Sequence, residues 1–162
     1  MRVLAILLLV PVVAFAQQGG KPAAGLLTQR ELSLDMAVDM ARAAMEKCRA
    51  DGYRTTVAIL DTAGNLKLSV RDDGTSPHTV EVARKKAYTA LIYRRASMDT
   101  AKAWATQVPP PSIEGTIALG GGFPIRAGEQ VVGAIGVSGA PGQDKDEACA
   151  NAGIAAVAAR LK

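Results

Sequence analysis

Histidine is nearly absent from this chain of 162 residues, in which His78 is the only one. A single imidazole excludes a histidine-rich zinc site and a proton relay between two histidines. It still permits a site that needs one neutral nitrogen ligand, such as the axial position on a metallocofactor. His78 stands in the run from Val70 to Thr79, which ends a predicted strand, turns through Gly74 and opens a long predicted helix.

Aromatic residues are also few, with one Trp, three Tyr and two Phe, and the formal net charge is only +4. Binding to a phosphate backbone needs a denser basic surface, and binding to single-stranded bases needs aromatic stacking platforms. The composition therefore predicts no nucleic-acid partner.

No apolar stretch is long enough to cross a bilayer. The longest, Val3–Val13, is interrupted by Pro11 and has about half of the required length. It precedes Ala14-Phe-Ala16, which matches the small-x-small pattern that signal peptidase cleaves. An uncleaved anchor is the alternative, but we expect a soluble mature protein that is periplasmic or secreted and has no membrane partner. The predicted parts are a signal peptide at 1–16, a flexible lead-in at 17–31 and one domain at 32–162.

Only two cysteines are present, Cys48 and Cys149, and each falls within a predicted helix. A disulfide would require those two helices to pack side by side with Cα atoms within about 7 Å of each other. An exported chain permits such a bond, but neither cysteine lies in the turn-rich context of a disulfide scaffold. The pattern favours two independent buried thiols, and the disulfide stays open as the alternative.

Hydrophobic periodicity and turn residues predict four helices and four strand segments. In chain order they are a helix from Ser33 to Asp51, strands at 56–60 and 66–71 that form a hairpin, a helix from Ser76-Pro77 to about Ser97, a short helix at 98–104, strand segments at 123–125 and 130–137, and a helix at 144–161. The proline-rich run Val108–Ser112 is a rigid connector. This order predicts an α+β fold in which an antiparallel sheet is flanked by helices.

Two glycine-rich segments follow the connector. The run Gly120–Gly122 is not a phosphate loop, because no Gly-Lys-Ser/Thr follows it and Pro124 prevents a helix there. Glycines within a strand, such as Gly133 and Gly136, are typical of close approach by another backbone, a subunit or a flat ligand. The sequence leaves these three alternatives open.

The helix that follows His78 carries a basic face. Arg84 lies close to one face with Tyr88 and Arg95, at helical spacings of four and seven, and it opens a run of three cations that continues with Lys85 and Lys86. The ordinary interpretation is a solvated helix face with surface charges. The alternative is a site for a flat acidic ligand, with its metal near His78 and its carboxylates near the three cations.

Seven ordered blocks of sequence are similar to those of a known family. They are Val57–Asp61, Gly64–Leu66, Arg71–Gly74, Ala83–Ala90, Gly121–Ile125, Val132–Ala140 and Asp146–Ala150. Together they resemble the GlcG/HbpS-like haem-binding family, which includes the C-terminal domain of PduO-type proteins. The resemblance implies an antiparallel sheet flanked by helices, assembled as dimers or larger rings such as octamers. It also implies haem binding, with haem degradation or iron sequestration in secreted members.

The leading hypothesis is an exported haem-binding protein that sequesters or transports haem and assists its breakdown. In it, His78 ligates the iron, and three cations face the propionates, namely Arg84, Lys85 and Lys86. The predicted contacts with the macrocycle are Tyr88, Gly121, Gly122 and Phe123. Two alternatives stay open: an enzyme acting on haem or another small acidic molecule, and an accessory oligomeric module of the GlcG type with a non-haem ligand. No catalytic residue is predicted, because the sequence offers no dedicated acid–base pair.

Overall fold

The computed structural model of the protein describes Gly25 and residues 28–162. The predicted signal peptide at 1–16 lies outside the described residues, as does most of the predicted lead-in at 17–31. Within the described residues, no helix combines the length and the apolar character that crossing a membrane requires.

The architecture is a four-stranded antiparallel sheet with helices on both faces, which confirms the predicted α+β class and the order of elements. The elements are α1 (Leu34–Ala50), β1 (Thr56–Leu60), β2 (Leu66–Arg71), α2 (Thr79–Tyr93), α3 (Ser97–Trp104), β3 (Gly122–Ala127), β4 (Gln130–Ser138) and α4 (Gln143–Val157), followed by a 3-10 turn (Ala158–Arg160). The strands lie in the order β2-β1-β4-β3. The two hairpins therefore meet at the centre of the sheet, where β1 pairs with β4.

The first helix begins and ends where its capping residues predict. Ser33 Oγ accepts a hydrogen bond from the Met36 backbone N–H at 3.2 Å, which satisfies a free donor in the first turn of α1. At the other end, Asp51 is the C-cap and Gly52 follows with φ +83, a conformation that glycine adopts without steric cost.

The helix after the β1–β2 hairpin differs from its prediction at both ends. It begins at Thr79 instead of Ser76-Pro77, because the Thr79 and Val80 N–H groups donate three residues back, to Ser76 and Pro77, and form tight turns. The Ser76 hydroxyl is hydrogen-bonded to His78 Nδ1 and does not cap the helix. It ends at Tyr93, since Arg94 adopts the left-handed conformation with φ 52. His78 consequently occupies the N-cap position of α2.

One face of the sheet is covered by α1 and α4, which also pack against each other. Large apolar side chains such as Met40, Ile59 and Ile135 are fully buried there. At the contact between the two helices, Cys48 and Cys149 form a disulfide with their Cα atoms 5.5 Å apart. The prediction of two independent thiols is therefore wrong, because the helices meet side by side and satisfy the distance condition for the bond.

The other face is covered by α2, whose backbone lies close to a pair of glycines. Gly122 on β3 and Gly136 on β4 are register partners. A Cβ atom at Gly136 would lie 2.1 Å from the Ala83 carbonyl oxygen, and one at Gly122 would lie 2.1 Å from the Lys86 carbonyl oxygen. Close approach by another backbone, one of the three alternatives for Gly136, is thus confirmed.

Candidate functional site

A cleft of about 790 Å³ opens at the end of the sheet where β1 begins and β4 ends. One wall is the turn that leads into α2, and the opposite wall is the segment 138–143 that leads into α4. Apolar side chains of Tyr53, Val82 and Leu119 contribute to the lining, beside several polar groups. The volume lies within the usual range for small-molecule sites.

His78 is exposed and lines this cleft. Its Nδ1 lies 2.9 Å from Ser76 Oγ, so a hydroxyl of the same turn holds the ring. When Nδ1 carries the proton, it donates to Ser76 and leaves Nε2 with a free lone pair. An iron that a macrocycle already holds needs one such nitrogen from the protein, so His78 fits the ligand role predicted for it. Within the described part of the chain, no group of three or more His, Cys, Asp and Glu residues is arranged to hold a metal ion.

Lys86 lines the same cleft but is occupied within the fold. Its side chain is 3% exposed, and Nζ donates to Asp146 Oδ2 at 2.7 Å and to the Val137 carbonyl oxygen at 3.1 Å. The second carboxylate oxygen of Asp146 accepts from the Ala140 backbone N–H at 3.0 Å. Burial raises the pKa of Asp146, while the hydrogen bond and the charge of Lys86 oppose that rise. Lys86 is therefore one half of a buried ion pair that joins α2 to α4, not a surface cation.

Arg84, Lys85 and Tyr88 lie in a second hollow of about 510 Å³, whose lining does not include His78. Arg84 donates two hydrogen bonds to Glu81, at 2.9 and 2.8 Å, and Lys85 Nζ lies 3.7 Å from the same carboxylate. The hydrogen bond from Arg84 lowers the pKa of Glu81, although partial burial opposes that effect. The structure does not bring these three residues to the imidazole.

The three residues predicted to contact a macrocycle beside Tyr88 are built into the sheet. Gly122 lies beneath α2, and its N–H donates to Ser97 Oγ at 2.9 Å. The Gly121 carbonyl oxygen accepts from the Val137 N–H at 2.9 Å. Phe123 is half-buried against the core on the opposite face of the sheet, with α1 and α4. None of these three lines the cleft.

Most polar residues of the cleft are absent from the sequence-based prediction, and two of them, one charged and one with an unpartnered hydroxyl, are important below. Arg54, in the loop before β1, and Thr75, in the turn before α2, both line it. Nothing in the local sequence distinguishes Arg54 from other surface cations. Thr75 directly follows Asp73-Gly74, and this turn pair is the one local signal that could have pointed to it.

Solved structures with the same fold define the structural class. HbpS, which has also been solved as a double mutant from Streptomyces reticuli, is 39% identical, with a TM-score of 0.77 over 83% of this chain and 96% of that chain. PduOC, solved as a complex with haem, is 24% identical, with a TM-score of 0.70 over 78% of this chain and 95% of that chain. At that identity the likeness to PduOC concerns the fold alone.

Sequence comparison identifies the family. Residues 32–155 match the family described as haem degrading protein HbpS-like, and the chain belongs to it. Protein GlcG of Escherichia coli strain K12 is 30% identical over 114 residues, which span 66% of this chain and 81% of that protein. The resemblance read from the seven sequence blocks is confirmed.

Proposed function

We propose that this chain is an exported haem-binding protein that holds haem in the cleft at His78. One observation carries the proposal: the sole imidazole of an HbpS-like chain lines a cleft of about 790 Å³ with its Nδ1 fixed by Ser76. His78 Nε2 is the ligand for the iron. The apolar side chains of Val82, Leu119 and Tyr53 offer surface to the macrocycle.

Titration with haemin tests this proposal. The wild-type protein is expected to give a saturable shift of the Soret band, and His78→Ala is expected to give a band at a different position and to bind about tenfold more weakly, which corresponds to about 1.4 kcal/mol. Because His78 is exposed, the substitution leaves the core intact, which circular dichroism checks. Identical spectra and affinities for both proteins would remove His78 from the site. Absence of saturable binding to haemin would favour the accessory module with a non-haem ligand.

Assistance to haem breakdown is a second candidate, which the description of the family as haem degrading favours. The haem supplies the redox chemistry when bound, and the chain's contribution is to position it and limit its contact with water. This candidate predicts that the Soret band decays after addition of peroxide, or of a reductant in the presence of dioxygen, and that iron is released faster than from a control haem protein. Equal rates of iron release would leave sequestration or transport as the function.

Export is part of the same proposal. The apolar segment that ends at Ala14-Phe-Ala16 supports it, and so does the disulfide between Cys48 and Cys149, because such bonds persist in oxidising compartments. Expression of the full chain in a bacterium, followed by mass spectrometry of the periplasmic and secreted fractions, is expected to find a mature protein that begins at Gln17. Detection of the uncleaved chain, still beginning at Met1, in the membrane fraction would instead indicate that the apolar segment is an anchor.

We also propose that the chain forms homo-oligomers, between dimers and octamers, as its family resemblance implies. Light scattering coupled to size-exclusion chromatography measures the mass directly. A mass that stays at one chain across the accessible concentration range would contradict this part of the proposal.

A further inference from the structure

Arg54 is a charged group of the cleft that has no ionic partner within the described residues. It is exposed, and of its five N–H donors one is used, where Nη1 donates to the Asp73 carbonyl oxygen at 3.1 Å. The nearby carboxylate of Asp72 is occupied, because it accepts two hydrogen bonds from Arg49 at 2.8 and 2.7 Å. The Arg54 guanidinium therefore lies at the cleft with most of its donors free.

The turn beside Arg54 holds the guanidinium in place. Gly74 adopts φ +73, and a Cβ atom there would lie 2.9 Å from Arg54 Nη1. The missing side chain lets the planar group rest directly on the turn. A guanidinium fixed in this way is suited to a carboxylate, because its donors form a fork that matches two carboxylate oxygens.

Thr75 supplies a second, independent polar group at the same wall. The residue is only 7% exposed, yet its hydroxyl has no hydrogen-bond partner. Its backbone is already used, since the N–H donates to the Asp72 carbonyl oxygen and its own carbonyl oxygen accepts from Arg71. A buried hydroxyl without a partner is costly, and a ligand acceptor in the cleft would remove that cost once the Thr75 side chain turns its hydroxyl towards it.

We infer that Arg54 and Thr75 form the part of the cleft that receives a carboxylate of the bound ligand. This inference rests on the proposed function, and it replaces the three consecutive cations of α2 as the partners of the haem propionates. Lys86 already forms an ion pair with Asp146, and Arg84 forms one with Glu81 in a different hollow. The ligand class that fits is a flat molecule with a metal on the His78 side and a carboxylate on the Arg54 side.

The test compares two ligands that differ only in their carboxylates, haemin and haemin dimethyl ester, by Soret titration. The variants are Arg54→Gln and, as the matched control, Arg84→Gln, which removes the same charge from the other hollow. We expect the wild type to bind haemin about tenfold more tightly than the ester. Arg54→Gln is expected to lose about tenfold for haemin and nothing for the ester, and Arg84→Gln is expected to change neither.

Thr75 is tested by a pair of substitutions with opposite predictions. Thr75→Val removes the unpartnered hydroxyl at nearly constant volume, so we expect a higher melting temperature together with weaker binding of haemin. Thr75→Ser keeps the hydroxyl and is expected to bind haemin as the wild type does. A purely structural role for Thr75 would leave haemin affinity unchanged in Thr75→Val and overturn its part of the inference.

The possible failures are distinct. If Arg54→Gln binds haemin as tightly as the wild type, or if Arg84→Gln shows the loss instead, the carboxylate assignment is overturned while haem binding stands. If the wild type binds haemin and its ester equally, the same conclusion follows. If the wild type binds neither ligand, the proposed function fails and this inference falls with it.

Discussion

The two faces of the sheet are held in different ways. On the α1–α4 face, large apolar side chains fill the space and a disulfide joins the helices. On the α2 face, backbones approach each other over Gly122 and Gly136, and the small apolar cluster there includes Ala87 and Ala134. A buried ion pair and the cleft lie at the end of this second face. The comparison indicates that the first face carries most of the stability, and that the second positions the polar groups.

Removing the disulfide should have the largest effect on this contrast. The double variant Cys48→Ala with Cys149→Ala opens a covalent loop with a sequence separation of 101, and we expect it to lose about 4 kcal/mol of unfolding free energy. Urea denaturation of the two proteins measures this loss. Alanine keeps both positions small and apolar, so an unchanged transition midpoint would mean that packing alone holds α1 to α4.

Breaking the buried ion pair should cost slightly less, about 3 kcal/mol for Lys86→Met at neutral pH, because Asp146 stays buried without its partner. Burial raises the pKa of Asp146 in the folded protein above its unfolded value. Its contribution to stability is therefore complete below the unfolded pKa and is lost as pH rises through the folded pKa. The deficit of the variant should shrink as pH falls from 7 towards 5, and a deficit that grows on acidification would contradict this assignment.

Adding one methyl group under α2 should cost about 2 kcal/mol. In Gly136→Ala the new Cβ meets the Ala83 carbonyl oxygen and the Ala87 backbone nitrogen, so the helix must shift. The control Gly142→Ala places its Cβ against the flexible, exposed side chain of Asp144 and should cost at most about 1 kcal/mol as a change of N-cap. Equal melting temperatures for the two variants would show that close backbone contact does not stabilise the packing of α2 on the sheet.

The smallest effect concerns Asp72, which links the loop after β2 to α1. The hydrogen bond from Arg49 lowers the pKa of Asp72, although partial burial opposes it. The stability that Asp72 contributes is present above its unfolded pKa and is lost as pH falls through its folded pKa. The free energy of unfolding of Asp72→Asn should therefore decrease less on acidification than that of the wild type. Asp73→Asn, at the exposed neighbouring position, is the control. If the free energy of unfolding depended on pH in the same way in the wild type and in Asp72→Asn, the contact between Asp72 and Arg49 would not contribute to stability.

Most of the fold could be predicted from the sequence, because its signals are local. Ser33 and Asp51-Gly52 mark the ends of α1 through their own chemistry, and alternation of side chains marks β2. The disulfide could not be predicted, because it depends on which helices become neighbours after folding. The start of α2 differs from its prediction for a local reason: Ser76 has the right chemistry for a cap, yet its hydroxyl is bonded to His78 instead.

The candidate site was less predictable than the fold. His78 could be singled out because no other imidazole competes with it. Lys86 ends the basic run that begins at Arg84, and its burial follows from the packing of α2 against β4 and α4, which the run does not encode. Arg54 and Thr75 come from two separate loops that only the β1–β2 hairpin brings together, so their shared role has no linear signature.

The covalent link between Cys48 and Cys149 also determines what a protease can do to this protein. The connector Val108–Ser112 is an accessible point of the chain, with Val108 98% exposed, and it lies inside the loop that the link closes. A cut there would leave two fragments that stay joined through α1 and α4, with all four strands still in place. Because both sulfurs are buried, a reductant would separate the fragments only after the domain opens. A nicked molecule should thus stay one covalent unit, heavier only by the water that hydrolysis adds, and keep its fold in oxidising surroundings.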